Sequence, residues 1–152
     1  MDDVFIALGT TVKVAGSPQA FRAVDFDVVV RVARTARVAG ATRLAMVSAM
    51  GADSQSRVLY NRVKDEMEEA VNQLGFDALV IARPSLLAGD RASLLQAARP
   101  VETIALWVAG ALKPFIPANY RPVEASEVAH ALVNALRSAH AGRRVLLSSD
   151  LH

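Results

Sequence analysis

Short apolar runs alternate along the chain with longer amphipathic stretches. The runs at residues 4–8, 44–47 and 78–82 are unbroken and closed by polar or turn residues, which is typical of short strands. The run at 4–8 is expected to be buried on both faces of a sheet. The third run ends at Arg83 and Pro84, because proline cannot donate to a β-ladder. Residues 145–147 are predicted to form the last strand.

The stretches between these runs have helical periodicity. Ser17 can cap the first helix with Pro18 at the first helical position, and the apolar residues that follow at helical spacing are expected to face inward: Phe21, Val24, Val28, Val32 and Ala36. A second helix is predicted from about 57 to 74, with Gly75 as its C-terminal stop. Further helices are predicted at 101–112 and 127–137.

Strands that alternate with helices predict an α/β fold. The expected architecture is a partial doubly wound, Rossmann-like parallel sheet of about four strands, flanked by helices and joined by right-handed crossovers. At 152 residues with 53% apolar content, the chain is predicted to be a single domain spanning 1–152. Within it, residues 86–125 are expected to form the loop and helix region on the substrate side.

Composition and charge exclude several classes of partner. The formal charge is only +2 and the arginines are scattered, so nucleic acid is not an expected partner. The longest apolar stretch, residues 103–112, is far shorter than the roughly 20 residues of a membrane-spanning helix, so no membrane partner is expected. The chain has no cysteine and starts with acidic residues where an export signal needs basic ones. A cytoplasmic location is therefore expected.

No metal site is predicted. The histidines, His130, His140 and His152, are not in metal-ligand spacing. The acidic residues of the second long helix lie opposite an apolar face and are expected to form a solvated surface: Asp65, Glu66, Glu68 and Glu69.

Tyr60 and Lys64 lie four residues apart in a predicted helix, so their side chains share one face. A phenol with an ordinary pKa near 10 is a poor acid or base at neutral pH, but a neighbouring ammonium favours the phenolate and brings the pKa toward the working range. The same pair also arises often by chance, so the spacing alone leaves a catalytic and a purely structural interpretation open.

Ser48 follows the second predicted strand, at the end where open α/β sheets place their ligands. A hydroxyl there could hydrogen-bond a substrate carbonyl while Tyr60 exchanges its proton. The alternative is a turn or cap residue, a common role of serine at the end of a strand.

The segments 47–53 (VSAMGAD), 60–64 (YNRVK) and 83–91 (RPSLLAGDR) together resemble the short-chain dehydrogenase/reductase superfamily. More narrowly, they resemble its atypical branch, which includes the Tat-interacting-protein oxidoreductases and bacterial nucleoside-diphosphate-sugar epimerase-like proteins. The likeness extends from the first strand through residues 120–123 and the helix after them.

The resemblance implies roles for individual residues. Tyr60 would be the acid/base, Lys64 would lower its pKa and hold the nicotinamide ribose, and Ser48 would orient a carbonyl or hydroxyl. Two further segments match the family's contacts with an NAD or NADP cofactor: Leu8, Gly9 and Thr10 at the first strand end, and Pro84 and Ser85 after the third strand. Ser48 is followed by Ala49 where many relatives have consecutive serines.

A glycine-rich phosphate loop is absent from the sequence. The family binds the pyrophosphate through Gly-x-Gly-x-x-Gly after its first strand, whereas the eight glycines of this chain are too far apart to form that loop. The strand at residues 4–8 matches the family's fourth, so the first three strands are expected to be missing and the chain to be the C-terminal part of a longer protein. The residue that selects NAD or NADP would lie in the missing part.

Three functions follow as expectations. The first is an NAD(P)-dependent oxidoreductase with Tyr/Lys acid-base chemistry on a small-molecule substrate, inactive in this chain if the phosphate-binding half is not supplied. The second is a non-catalytic interaction module that retains the fold, and the third is a sugar-nucleotide epimerase or dehydratase. Loss of the preceding strands would leave the strand at 4–8 at the sheet edge, which predicts a homodimer through this N-terminal strand.

Overall fold

The sheet consists of four parallel strands. The computed structural model describes residues 3–85 and 123–151. Within them the strands are β1 (Asp3–Ile6), β2 (Arg43–Val47), β3 (Ala78–Arg83) and β4 (Gly142–Leu147), hydrogen-bonded in the order β1-β2-β3-β4. In the register, Val4 pairs with Leu44 and Leu44 with Leu79. The predicted α/β class with a partial parallel sheet is confirmed.

Helices connect the strands at nearly the predicted positions. They are α1 (Val12–Ala15), α2 (Pro18–Arg22), a π-helical segment (Ala23–Val28), α3 (Val29–Val38), α4 (Leu59–Asn72), α5 (Ala125–Arg137) and a 3-10 turn (Ser148–Asp150). Ser17 caps α2 as predicted, because its side chain accepts from the Ala20 N–H at 3.1 Å. Gly75 has φ +71° after α4, the left-handed conformation of a helix stop. The helix predicted at 101–112 and most of the region 86–125 lie outside the described residues.

The hydrophobic core has two parts, one on each face of the sheet. On one face, α3 and α4 cover the strands with Val29, Val30, Ala33, Met67 and Val71, which pack on Ile6, Leu44, Met46, Leu79 and Ile81. On the other face, α5 covers Ala45, Val80, Ala82 and Leu146 with Val128, Leu132, Ala135 and Leu136. Both faces of β2 and β3 are therefore buried.

The buried face of the first long helix differs from the prediction. Phe21 is buried as expected, but Val24, Val28 and Val32 are exposed, and the residues that face the core are Asp25, Val29, Val30 and Ala33. The cause is the π-helical segment Ala23–Val28, which follows α2 and precedes α3 without a break. A π-helical turn holds more residues than an α-helical one, and the buried positions Asp25, Val29 and Ala33 each lie one residue after the predicted Val24, Val28 and Val32.

The prediction that β1 is buried on both faces is wrong. Ile6 is buried in the core, whereas Phe5 is 49% exposed and Leu8 is also exposed. Among the described residues β1 pairs only with β2 and is an edge strand, while α5 packs on β2 and β3. The apolar run therefore predicted the strand correctly but not its surroundings.

One acidic residue of α4, Glu68, is buried although a solvated position was expected. Glu68 is 0% exposed, and its carboxylate accepts two hydrogen bonds from Arg83, at 2.9 and 2.6 Å, and one from Arg143, at 2.8 Å. Hydrogen bonding to Glu68 raises the pKa of Arg83 above its usual value, although burial opposes the shift. Glu68 lies on the face of α4 that turns toward β3 and β4, so it ties the helix to the sheet.

The free edge of β1 leads to a prediction about association. We expect the purified chain to associate through β1, because an edge strand with exposed apolar side chains recruits further strands. Ile6 is a core residue, so Phe5→Lys is the suitable probe, and it should increase the monomer fraction. Sedimentation velocity at several concentrations measures this, with Val38→Lys at the end of α3 as a control that places the same charge on an exposed valine away from β1. A parent chain that stays monomeric at all concentrations would contradict the expectation.

Candidate active site

A cavity of about 580 Å³ lies at the carboxyl ends of β1 and β2. Parallel sheets bind their ligands at this end. Two groups of residues line it: Phe5, Ile6, Ala7, Leu8, Gly9, Thr10, Thr11, Val14, Val47 and Ser48 from the strand ends and the segment after β1, and Tyr60, Lys64, Ala125, Val128, Ala129, Leu132 and Val133 from the helices. Of the residues predicted from the sequence for the catalytic and cofactor sites, all except Pro84 and Ser85 are in this lining.

Ser48 is held at the cavity by the β-ladder. Its backbone N–H donates to the Ala82 carbonyl at 2.7 Å, which extends the pairing of β2 with β3 by one residue. The residue is only 5% exposed, and its Oγ has no hydrogen-bond partner among the described residues. A buried hydroxyl without a partner costs about 1–3 kcal/mol. This cost would be offset by a ligand that bonds to the hydroxyl.

Tyr60 is positioned by a second aromatic ring. It lies in the first turn of α4, and its ring stacks on Phe21 of α2 with 5.4 Å between ring centroids and an interplanar angle of 25°. Lys64, one turn further along α4, places its Nζ 5.5 Å from the centroid of the Tyr60 ring. The helical spacing thus brings the phenol and the ammonium together, as the sequence predicted.

Lys64 is paired with an acid that the sequence interpretation missed. Its Nζ lies 2.5 Å from Asp25 Oδ1, and both residues are almost fully buried, Lys64 at 3% exposure and Asp25 at 0%. The contact is a buried ion pair. One signal for Asp25 was available: it lies four residues after the buried Phe21 and four before the buried Val29, and a charge on such an apolar face needs a partner.

Asp25 also contacts the turn after β1. The Thr10 N–H donates to Asp25 Oδ2 at 2.8 Å. A Cβ added at the preceding residue, Gly9, would lie 3.2 Å from Asp25 Oδ1, tighter than most Cβ contacts, and 3.4 Å from Lys64 Nζ. The turn that the family resemblance relates to the cofactor is therefore packed directly on the Asp25–Lys64 pair.

Pro84 and Ser85 lie beside this site at the end of β3. The Pro84 carbonyl accepts from the Met50 N–H at 3.1 Å, and the Ser85 N–H donates to Ser148 Oγ at 2.7 Å. These bonds hold the end of β3 to the segment after β2 and to the 3-10 turn. Neither residue is in the described lining of the cavity.

The residues of the cavity fit the nicotinamide half of a dinucleotide. Ser48 provides a buried hydroxyl that has no partner among the described residues, and the Lys64 ammonium has three hydrogens to donate beside its ion pair with Asp25. The pyrophosphate half has no counterpart, because the sequence contains no glycine-rich loop.

In residues 3–85 and 123–151, no three histidine, aspartate or glutamate side chains are grouped so that they could hold a metal ion. None of the helices described there has the length and apolar character needed to cross a membrane.

No protein-family model matches the chain, but curated proteins are similar to it. Protein fmp52, mitochondrial, of Emericella nidulans is 44% identical over 110 residues, which cover 72% of this chain and 46% of that protein. FMP52, mitochondrial, of Candida albicans is 34% identical over 128 residues, covering 83% and 55% respectively. Protein HTATIP2 of Rattus norvegicus is 37% identical over 145 residues, covering 95% and 57%. The chain thus spans about half the length of the curated relatives it matches.

These relatives support the broad class that the fold and the site indicate. FMP52 and HTATIP2 belong to the short-chain dehydrogenase/reductase-like superfamily, and the chain is homologous to them. The expectation of a cytoplasmic protein is contradicted, because several of the relatives carry the word mitochondrial in their names.

Proposed function

We propose that the chain carries the acid-base half of an NAD(P)-dependent oxidoreductase of the atypical short-chain dehydrogenase/reductase branch. Its substrate would be a small molecule with a carbonyl or hydroxyl group. The observation that carries the proposal is the buried, unpartnered Oγ of Ser48, which lines one cavity with the Tyr60–Lys64 pair. The same proposal includes a mitochondrial location for this chain, because the FMP52 relatives carry the word mitochondrial in their names.

The residues have separate tasks in this mechanism. Ser48 Oγ donates a hydrogen bond to the substrate oxygen and orients it, and Tyr60 gives a proton to that oxygen during reduction or removes it during oxidation. Lys64 stabilises the negative charge left on the phenol oxygen, because its buried ammonium lies 5.5 Å from the ring centroid. A nicotinamide bound beside Gly9, Thr10 and Lys64 would supply or accept the hydride.

Hydride transfer itself tests the proposal. A panel of aldehydes and ketones is incubated with NADH or NADPH deuterated at the transferable position, and the alcohol products are examined for deuterium. The chain is assayed alone and joined to the part of an FMP52 relative that it does not match. We expect transfer in the joined protein and its loss in Tyr60→Phe. Absence of transfer with every substrate and both cofactors would reject the proposed activity.

Cofactor binding gives a separate prediction. We expect the chain alone to bind NAD and NADP too weakly for calorimetric detection, because the pyrophosphate-binding loop is not in its sequence. The joined protein should bind one of the two. Micromolar binding by the monomeric chain would contradict this expectation and would mean that the turn after β1 provides the phosphate contacts.

A non-catalytic interaction module is the second candidate. The observation that favours it is the exposed apolar surface at β1 and the turn and helix after it, formed by Phe5, Leu8 and Val14. In that case the surface would bind a protein partner and Tyr60 would have no chemical role. Binding of a partner that Phe5→Lys abolishes and Tyr60→Phe leaves intact, together with no hydride transfer, would favour this candidate.

A further inference from the structure

Asp25 has no task in the mechanism above, although its position is costly. A carboxylate that is fully removed from water loses its hydration, and the loss must be offset by a charged partner and hydrogen bonds. Asp25 is 0% exposed and lies on a helix whose neighbouring buried residues are apolar. A buried acid in such a position is typical of a residue with a specific structural or functional role.

The backbone around Asp25 has an unusual conformation. The residue lies in the π-helical segment Ala23–Val28 between two α-helical stretches. Short π-helical segments are rare and occur frequently at functional sites. Within this segment Asp25 points into the protein, while Asp27, two residues on, is exposed. The two acids on one turn therefore have opposite environments.

The carboxylate of Asp25 contacts two parts of the candidate active site at once. Oδ1 pairs with Lys64 Nζ at 2.5 Å, and Oδ2 accepts from the Thr10 N–H at 2.8 Å. Lys64 comes from α4 and Thr10 from the turn after β1, so one side chain joins both elements. Gly9 packs closely on the same carboxylate, because a Cβ there would lie 3.2 Å from Asp25 Oδ1.

We propose that Asp25 is a positioning residue of this site: it holds the Lys64 ammonium beside Tyr60 and holds the Gly9–Thr10 turn against the pair. This assignment rests on the function proposed above. Lysine has a long flexible stem whose ammonium would otherwise turn toward solvent. With Asp25 in place, the Lys64 ammonium remains near the Tyr60 ring. The backbone of the Gly9–Thr10 turn is then held in the position where it would contact the ligand.

Chemical labelling of lysine tests the positioning without any assay of activity. The whole chain is treated with a trace of amine-acylating reagent, and labelling at Lys64 is compared by mass spectrometry with labelling at the exposed Lys13. In Asp25→Asn we expect the Lys64 to Lys13 labelling ratio to rise about a hundredfold, the order of magnitude of a lost buried ion-pair partner. Asp27→Asn is the matched control and should leave the ratio unchanged. Asp25→Glu should restore most of the protection.

An unchanged ratio in a folded Asp25→Asn chain would overturn the proposal. If that variant fails to fold, nitrogen-correlated NMR spectra of the parent chain decide instead. The pairing predicts a slowly exchanging ammonium signal from Lys64 and none from Lys13, and a Lys64 signal absent under conditions that preserve the fold would equally overturn it.

Kinetics separate a positioning role from a structural one. In the joined protein that transfers hydride, Asp25→Asn should reduce kcat at least tenfold and change KM for the carbonyl substrate by no more than about twofold. Asp25→Glu should recover part of kcat. If no variant transfers hydride, the proposed function fails while the labelling result still decides whether Asp25 positions Lys64. If hydride transfer occurs and Asp25→Asn leaves kcat unchanged, the positioning role is rejected and the proposed function stands.

Discussion

Replacing Lys64 with methionine is expected to lower the free energy of unfolding by about 3–5 kcal/mol, the usual effect of removing one partner from a buried ion pair. Methionine fills a similar volume, so the loss comes from the Asp25 carboxylate, which remains buried and, among the described residues, keeps only the Thr10 N–H as a partner. Since a domain of this kind is stable by about 5–15 kcal/mol, the change is large. Urea unfolding of the 152-residue chain, followed by circular dichroism, measures it.

Two controls identify the ion pair as the cause. Lys13→Met removes an exposed lysine and should change the stability by less than about 0.5 kcal/mol. The double variant Lys64→Met with Asp25→Asn should recover much of the lost stability, because no charge then remains buried without a partner. If Lys64→Met alone lowers the free energy of unfolding by less than about 1 kcal/mol, the Asp25–Lys64 ion pair contributes little to stability in solution.

Tyr60→Phe is expected to reduce turnover of the joined, hydride-transferring protein by about 10²–10⁴-fold, the contribution of a general acid or base. The variant loses only the transferable proton. Its ring still stacks on Phe21, so the thermal unfolding temperature and the cofactor affinity should remain near those of the parent. Initial rates across substrate concentrations, measured alongside thermal unfolding, provide the comparison.

If Tyr60→Phe retains turnover within a few-fold, Tyr60 is not the acid or base. A different group would then have to move the proton, and Ser48 would remain as the candidate for substrate orientation.

The sequence by itself determined the architecture and most of the predicted site. Unbroken apolar runs and helical spacing predicted the parallel α/β sheet, because these signals depend on residues close together in the chain. Ser17 and Gly75 marked helix boundaries through local hydrogen bonding and backbone conformation. Ser48, Tyr60 and Lys64 line one cavity since each lies at, or one turn beyond, the carboxyl end of the sheet, where parallel strands direct their following loops.

Only the tertiary structure decided which distant partner each charged or apolar side chain meets. Asp25 and Glu68 were not predicted to be buried, because burial of an acid depends on cations brought near it by folding, Lys64 in one case and Arg83 with Arg143 in the other. Phe5 is exposed although its run is apolar, since no described element covers that face of β1. Periodicity reports on local conformation, whereas these contacts join segments far apart in the sequence, and so the chain's order of residues alone does not reveal them.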